Sequence, residues 1–130
     1  MSTMRALVVD DSAVIRDLIS LNLRLEGFEV TTAADGEAAV ELAARVRPHV
    51  VTLDVVMPRL NGPETVERLR DDPKTAHIPI VIVTGRAQAD DIARGEKLGV
   101  EAYLTKPFEP SELVEVVTQV ARSGRSVASR

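Results

Sequence analysis

Five polar side chains follow or end short apolar runs in this 130-residue chain, and their types suit one chemistry. Asp10 and Asp11 stop the run Ala6-Leu7-Val8-Val9, and Asp54 stops Val50-Val51-Thr52-Leu53. Thr84 ends the run 78–84, and Lys106-Pro107 follows Ala102-Tyr103-Leu104-Thr105. Singly, each is unremarkable, since an aspartate after a strand commonly serves a turn or a helix cap. Jointly, three carboxylates brought to one rim repel one another and need a counter-cation. A hard oxygen donor set without His or Cys selects Mg²⁺, or Mn²⁺ in its place. Lys106 adds a flexible point charge suited to phosphate, and the Thr84 hydroxyl can donate to a phosphoryl oxygen. A carboxylate in such a set can itself act as nucleophile and form an aspartyl phosphate. Asp54, the lone acid after the central strand, is the best placed to do so.

For the five to meet, their runs must be neighbouring strands of one sheet. Several runs are apolar at consecutive positions rather than alternating, as in strands covered on both faces. A fifth run, 28–33, is rich in β-branched residues and ends in Thr32-Ala33-Ala34, with nothing reactive. Helical patterns lie between the runs. Val14, Leu18, Leu21 and Leu25 recur at helical spacing before Gly27. Asp35 caps a helix carrying Ala39, Leu42, Ala43 and Val46 that ends before Pro48. Pro63 fits a first turn ahead of Val66 and Leu69. Ile92 and Leu98 mark a weaker fourth helix interrupted by Gly95, and Leu113, Val116, Val117 and Val120 form the stripe of the last one. Five strands alternating with five helices predict an α/β fold, a doubly wound five-stranded parallel sheet of (βα)5 type. In such sheets the functional crevice lies at the carboxyl ends of the strands, where all five polar groups fall.

Composition narrows the classes. Hydrophobic residues make up 45% of the chain but aromatic ones only 2% (Phe28, Tyr103 and Phe108), so the core is aliphatic. With no cysteine there is no disulfide scaffold, thiolate zinc site or cysteine nucleophile. The net charge of −4 argues against a basic nucleic-acid footprint. No apolar run approaches the ~20 residues of a membrane span, and the N-terminus lacks the long apolar region of a signal peptide. A cytoplasmic protein is the expectation, with no membrane contact and no direct nucleic-acid binding by this chain.

Taken in order, Val8-Val9-Asp10-Asp11-Ser12, Leu53-Asp54-Val55-Val56-Met57-Pro58 with Asn61-Gly62, Val83-Thr84-Gly85 and Lys106-Pro107-Phe108 resemble the receiver domain of two-component response regulators, the CheY-like family. The resemblance runs from about residue 5 to residue 121. It implies a receiver domain over 1–122, with 123–130 as a flexible tail or truncated linker. It also implies the flavodoxin-like strand order 2-1-3-4-5, which the general description of doubly wound folds gives for CheY itself.

Position by position, the resemblance makes Asp54 the phosphoacceptor, charged from a phosphohistidine on a sensor histidine kinase or phosphotransfer protein. Asp11, Asp54 and the Val56 carbonyl would ligate Mg²⁺, with Asp10 acting through a metal-bound water. Lys106 would pair with Asp54 at rest and with the phosphoryl group afterwards, and the Lys106–Pro107 bond would be cis. Thr84 and Tyr103 would be the switch residues, and the surface of the fourth helix, fifth strand and fifth helix would change on phosphorylation. The readout would be a downstream target or an output domain outside this chain. The resemblance also admits a homodimer that forms on phosphorylation. Such a domain is a phosphoacceptor switch with self-catalysed transfer and autodephosphorylation rather than a turnover enzyme. Gly85 stands where relatives commonly carry alanine, Val56 is apolar where some carry a polar residue, and Arg86 adds a cation near the pocket mouth.

Two other readings compete. An aspartate-nucleophile phosphatase of the haloacid dehalogenase type needs a second Asp two residues after the nucleophile, where this chain has Val56. A pseudo-receiver used only for docking would lack Asp54, Asp11 or Lys106, and none is missing. His49 and His77 lack metal-ligand spacing and read as surface or loop residues. Asn61-Gly62 and Gly85-Arg86 are turn signals, and Arg122, Arg125 and Arg130 are too few for a nucleic-acid arm.

Overall fold

The computed structural model describes residues 3–54, 62–85 and 99–123. Five strands, β1 (Arg5–Val9), β2 (Glu29–Ala33), β3 (Val50–Leu53), β4 (Ile80–Thr84) and β5 (Ala102–Thr105), alternate with α1 (Ala13–Leu25), α2 (Gly36–Val46), α3 (Gly62–Asp71) and, after β5, α4 (Pro110–Ser123). All pairings are parallel, and the order across the sheet is β2-β1-β3-β4-β5. The expected fourth helix, around Ile92, Gly95 and Leu98, lies outside the described residues, as do Val56, Arg86 and the tail beyond Ser123.

Period-two alternation along each strand sorts the apolar runs into two layers. Ala6, Val8, Val50, Val81, Val83 and Leu104 point to one face, where they meet Ile19 and Leu23 of α1 and Leu113 and Val117 of α4. Leu7, Val9, Val51, Leu53, Ile80 and Ile82 point to the other, against Ala39 and Ala43 of α2 and Val66 and Leu69 of α3. Consecutive apolar residues are required because both faces are covered.

The helix boundaries follow local chemistry. The Ser12 hydroxyl accepts from the Ile15 amide at the start of α1, and Asp35 accepts from the Ala38 amide at the start of α2. Gly27 takes φ 98° just past α1, a left-handed conformation that glycine adopts without strain. Arg47 closes α2 at φ 53°, one residue before Pro48.

The stripe Val14, Leu18, Leu21 and Leu25 does not face the core: these side chains are 77%, 40%, 56% and 77% exposed. The buried side of α1 is Ile19, Ser20 and Leu23, with Ile15 partly covered. Both sets have helical spacing, but only the second lies over β1 and β2.

Two polar clamps hold the end of the sheet where strands begin. At β1, the Arg5 amide donates to His49 Nδ1 at 2.8 Å, and the His49 amide returns a bond to the Arg5 carbonyl at 2.8 Å. The Arg5 guanidinium also donates to the carbonyls of Val46 and Arg47 at the end of α2. His49 lies in the α2–β3 loop, as its sequence suggests, and is there a half-buried acceptor. Burial, and then the Arg5 charge, lower its pKa below the ordinary histidine value. At β4 and β5, Arg70 pairs with Glu101 at 3.0 Å and donates to the carbonyls of Ala76, Ile78 and Gly99. The same Glu101 oxygen accepts the Ile80 amide at 2.7 Å.

Candidate functional site

At the opposite end, the strand ladders run one residue past the strands and so fix the acidic residues. The Asp54 amide donates to the Val9 carbonyl at 3.1 Å, and the Asp10 amide donates to the Ala33 carbonyl at 3.2 Å. Asp10 and Asp54 therefore leave β1 and β3 side by side. Between these strands the chain order reverses, the place where parallel α/β sheets open a crevice. Asp10, Asp11 and Asp54 bring carboxylate oxygens within 4.8 Å of one another.

The three acids differ in surroundings. Asp10 is 1% exposed. One of its oxygens accepts the Ser12 amide at 3.0 Å and the other accepts the Lys106 ammonium at 2.8 Å. Asp54 is buried, and Asp11 is exposed at the rim. Asp10 is thus committed to protein donors, while Asp11 faces outward.

Lys106 arrives from β5 through its amide bond to the Thr84 carbonyl at 2.8 Å, which extends the β4–β5 ladder. Its ammonium lies 2.8 Å from Asp10 and 3.4 Å from Asp54. Burial favours losing its proton, but the Asp10 hydrogen bond and the charges of Asp54 and Asp10 outweigh that, leaving the pKa above the ordinary lysine value. The resting pair expected between Lys106 and Asp54 is present, but Asp10 is the nearer partner. The Lys106–Pro107 peptide bond is cis, as expected.

Thr84 is buried at the end of β4. Tyr103 is half-buried in β5, with its ring against the Leu7 layer and its hydroxyl oxygen shielded from solvent. A Cβ added at Gly85 would meet nothing within 4 Å among the described residues beyond its chain neighbours. Val56, the expected carbonyl ligand, lies outside the described residues. Arg16 was not singled out from the sequence: its guanidinium donates to the Asp10 carbonyl at 2.9 Å. Its only sequence signal is its place one turn beyond the Ser12 cap.

A family model described as the response regulator receiver domain matches residues 6–118. The chain is a response regulator receiver domain. This receiver is 37% identical over 118 residues to the DNA-binding dual master transcriptional regulator RpaA of Synechocystis, covering 91% of this chain and 49% of that protein. It thus spans about half the length of the curated relatives it matches. In structure it resembles the Vibrio cholerae chemotaxis protein CheY4, with a TM-score of 0.87 at 34% identity, covering 92% of this chain and 99% of that one. It also resembles the receiver domain of a Pseudomonas aeruginosa sensor histidine kinase, with a TM-score of 0.85 at 30% identity, covering 93% and 99%. That receiver was solved with a magnesium ion coordinated in its active-site cleft. Among the described residues, no helix is long and apolar enough to cross a membrane.

Proposed function

We propose that Asp54 accepts a phosphoryl group from a phosphohistidine and that the domain relays this event to a target or an output domain. The observation that carries the reading is the convergence of Asp10, Asp11 and Asp54 within 4.8 Å at the β1–β3 crevice, with the Lys106 ammonium against two of them.

A carboxylate oxygen of Asp54 attacks phosphorus, forming the O–P bond. The donor N–P bond breaks, its electron pair returns to the imidazole nitrogen, and that nitrogen then takes up a proton. Lys106 moves its charge toward the new phosphoryl oxygens, and the Thr84 hydroxyl donates to one of them. Asp10, held by the Ser12 amide and Lys106, keeps the ammonium beside the reacting carboxylate.

The donor set fits a divalent cation. Among the described residues it offers three carboxylates, two of them against one ammonium, so its ligands are oxygens and negative charge is in excess. Asp11 and Asp54 would hold the ion, with Asp10 contributing through water. When bound, Mg²⁺ would offset carboxylate repulsion and hold phosphoryl oxygens.

The role is that of a switch that is consumed and reset, not a turnover enzyme. Because the curated relatives are about twice as long, an output domain joined to this receiver is part of the reading. So is a cytoplasmic setting, where the sensor kinase presents its phosphohistidine. With acetyl phosphate and Mg²⁺, the intact protein should gain one phosphoryl mass increment, and Asp54→Asn should gain none. Equal labelling of Asp54→Asn would overturn the assignment.

A further inference from the structure

We propose that Arg16 is a positioning residue for the metal site: by holding the peptide bond between Asp10 and Asp11 it sets the direction of the Asp11 carboxylate. The inference rests on the reading above that Asp11 and Asp54 hold a divalent cation, and it adds a residue that touches neither the ion nor the phosphoryl group. Asp11 is the least supported of the three acids. It is exposed at the rim, and among the described residues its carboxylate accepts no hydrogen bond. Its direction is therefore set by its own backbone. Peptide units are planar, so a residue is oriented once the peptide on either side of it is held. The following peptide is held by its N–H, since the Ser12 amide donates to Asp10 Oδ1 at 3.0 Å. The preceding peptide is held by its oxygen, since the Arg16 guanidinium donates to the Asp10 carbonyl at 2.9 Å. Among the described residues no other group donates to that carbonyl.

Arg16 is itself firmly placed. Its amide closes the first turn of α1 on the Ser12 carbonyl at 2.9 Å, and its carbonyl accepts the hydroxyl of the buried Ser20 at 2.7 Å. Its side chain is half-buried and meets a carbonyl rather than a carboxylate, and among the described residues it forms no ion pair. Arg16 therefore brings a positive charge beside the acidic pocket without engaging any of the three acids. As a bare charge it would repel a divalent cation and weaken its binding. As a clamp it strengthens binding, because a ligand held in place beforehand loses less freedom when the ion arrives. The two effects have opposite signs, so removing the side chain reads which one dominates.

Mg²⁺ titrations of the full chain, followed through backbone amide shifts in NMR, measure this without any phosphoryl donor. Arg16→Met keeps the apolar stem, removes the charge and the donors, and should weaken Mg²⁺ binding about tenfold. Arg16→Lys, which restores the charge and a donor, should bind Mg²⁺ more tightly than Arg16→Met. A charge acting alone gives the reverse order. In an Asp11→Ala background Arg16→Met should cost no further affinity, because the residue that Arg16 positions is gone. Unchanged amide shifts away from the pocket verify that each variant is folded. Arg16→Gln is the second neutral variant should Arg16→Met fail to fold, and the same tenfold loss is expected of it. The inference is overturned if the neutral variant binds Mg²⁺ as tightly as the wild type or more tightly, if Arg16→Lys binds no better than the neutral variant, or if the loss persists in the Asp11→Ala background. In each of those results the wild type still binds Mg²⁺, so the metal reading stands. A wild type whose amides do not move with millimolar Mg²⁺ overturns the metal reading and this inference together.

Discussion

The Lys106 ammonium stands 2.8 Å from Asp10 and 3.4 Å from Asp54, so the buried neighbour, not the proposed acceptor, holds it most closely. This geometry keeps Asp54 less encumbered than a direct tight pair would. Asp10, at 1% exposure, acts as the anchor of the cation.

Replacing that cation tests the arrangement. Lys106→Met strands the buried Asp10 carboxylate beside Asp11 and Asp54 and should destabilise the domain by about 3 kcal/mol without added metal. Mg²⁺ should recover more stability in the variant than in the wild type, because a ligand that binds the folded state stabilises by mass action. Thermal melts with and without Mg²⁺ measure both effects, and an equal Mg²⁺ gain in the two proteins would contradict the charge balance described here.

His49 predicts an acid-side loss of stability. Its Nδ1 accepts the Arg5 amide, so the folded state holds the neutral ring, and its pKa is lowered. The unfolded chain takes up the proton near pH 6.5, before the folded chain does. The His49 contribution is therefore whole above about pH 6.5, falls as the pH drops, and is spent below the folded pKa. His49→Asn, which keeps an acceptor that does not titrate, should flatten this part of the profile. Urea midpoints followed between about pH 5 and pH 8 provide the comparison.

The Arg70–Glu101 clamp should matter for stability alone. The Glu101 side chain is fully buried and Arg70 is 13% exposed. Glu101→Ala leaves the guanidinium and the Ile80 amide short of a partner and should destabilise by about 3–5 kcal/mol. Glu101→Gln, which retains an acceptor, should lose less. Phosphoryl incorporation per folded molecule should not change, because the clamp lies at the other end of the sheet. A selective loss of incorporation with stability intact would contradict that separation.

Thr52 offers a gain. It is 1% exposed in the middle of β3, and its hydroxyl finds no hydrogen-bond partner among the described residues. Thr52→Val keeps the branched shape and removes the desolvated hydroxyl, so it should stabilise by about 1 kcal/mol and raise the melting temperature by a few degrees. A lower melting temperature would reveal a polar contact at this position.

Much of the site was legible because strand ends carry a plain signal. Apolar runs stop at Asp10, Asp54 and Thr84, and the sheet order brings those ends together. The core face of α1 was not legible, because Ile15, Ile19 and Leu23 also recur at helical spacing beside the exposed stripe, and periodicity does not say which stripe meets the sheet. The Arg70–Glu101 pair was hidden by its separation of 31 residues, with no local pattern linking the two. The preference of Lys106 for Asp10 over Asp54 depends on less than an ångström, finer than any spacing rule resolves.

The ladder bonds from the Asp54 amide to Val9 and from the Asp10 amide to Ala33 tie the pocket to strands β1, β2 and β3. Amide hydrogens in such positions are released to solvent when the strand pairing that holds them opens. Asp10 and Asp54 therefore share the opening of the strands that carry them. A receiver weakened by distant substitutions should lose competent molecules in proportion to the unfolded fraction, while every molecule that remains folded carries an intact pocket.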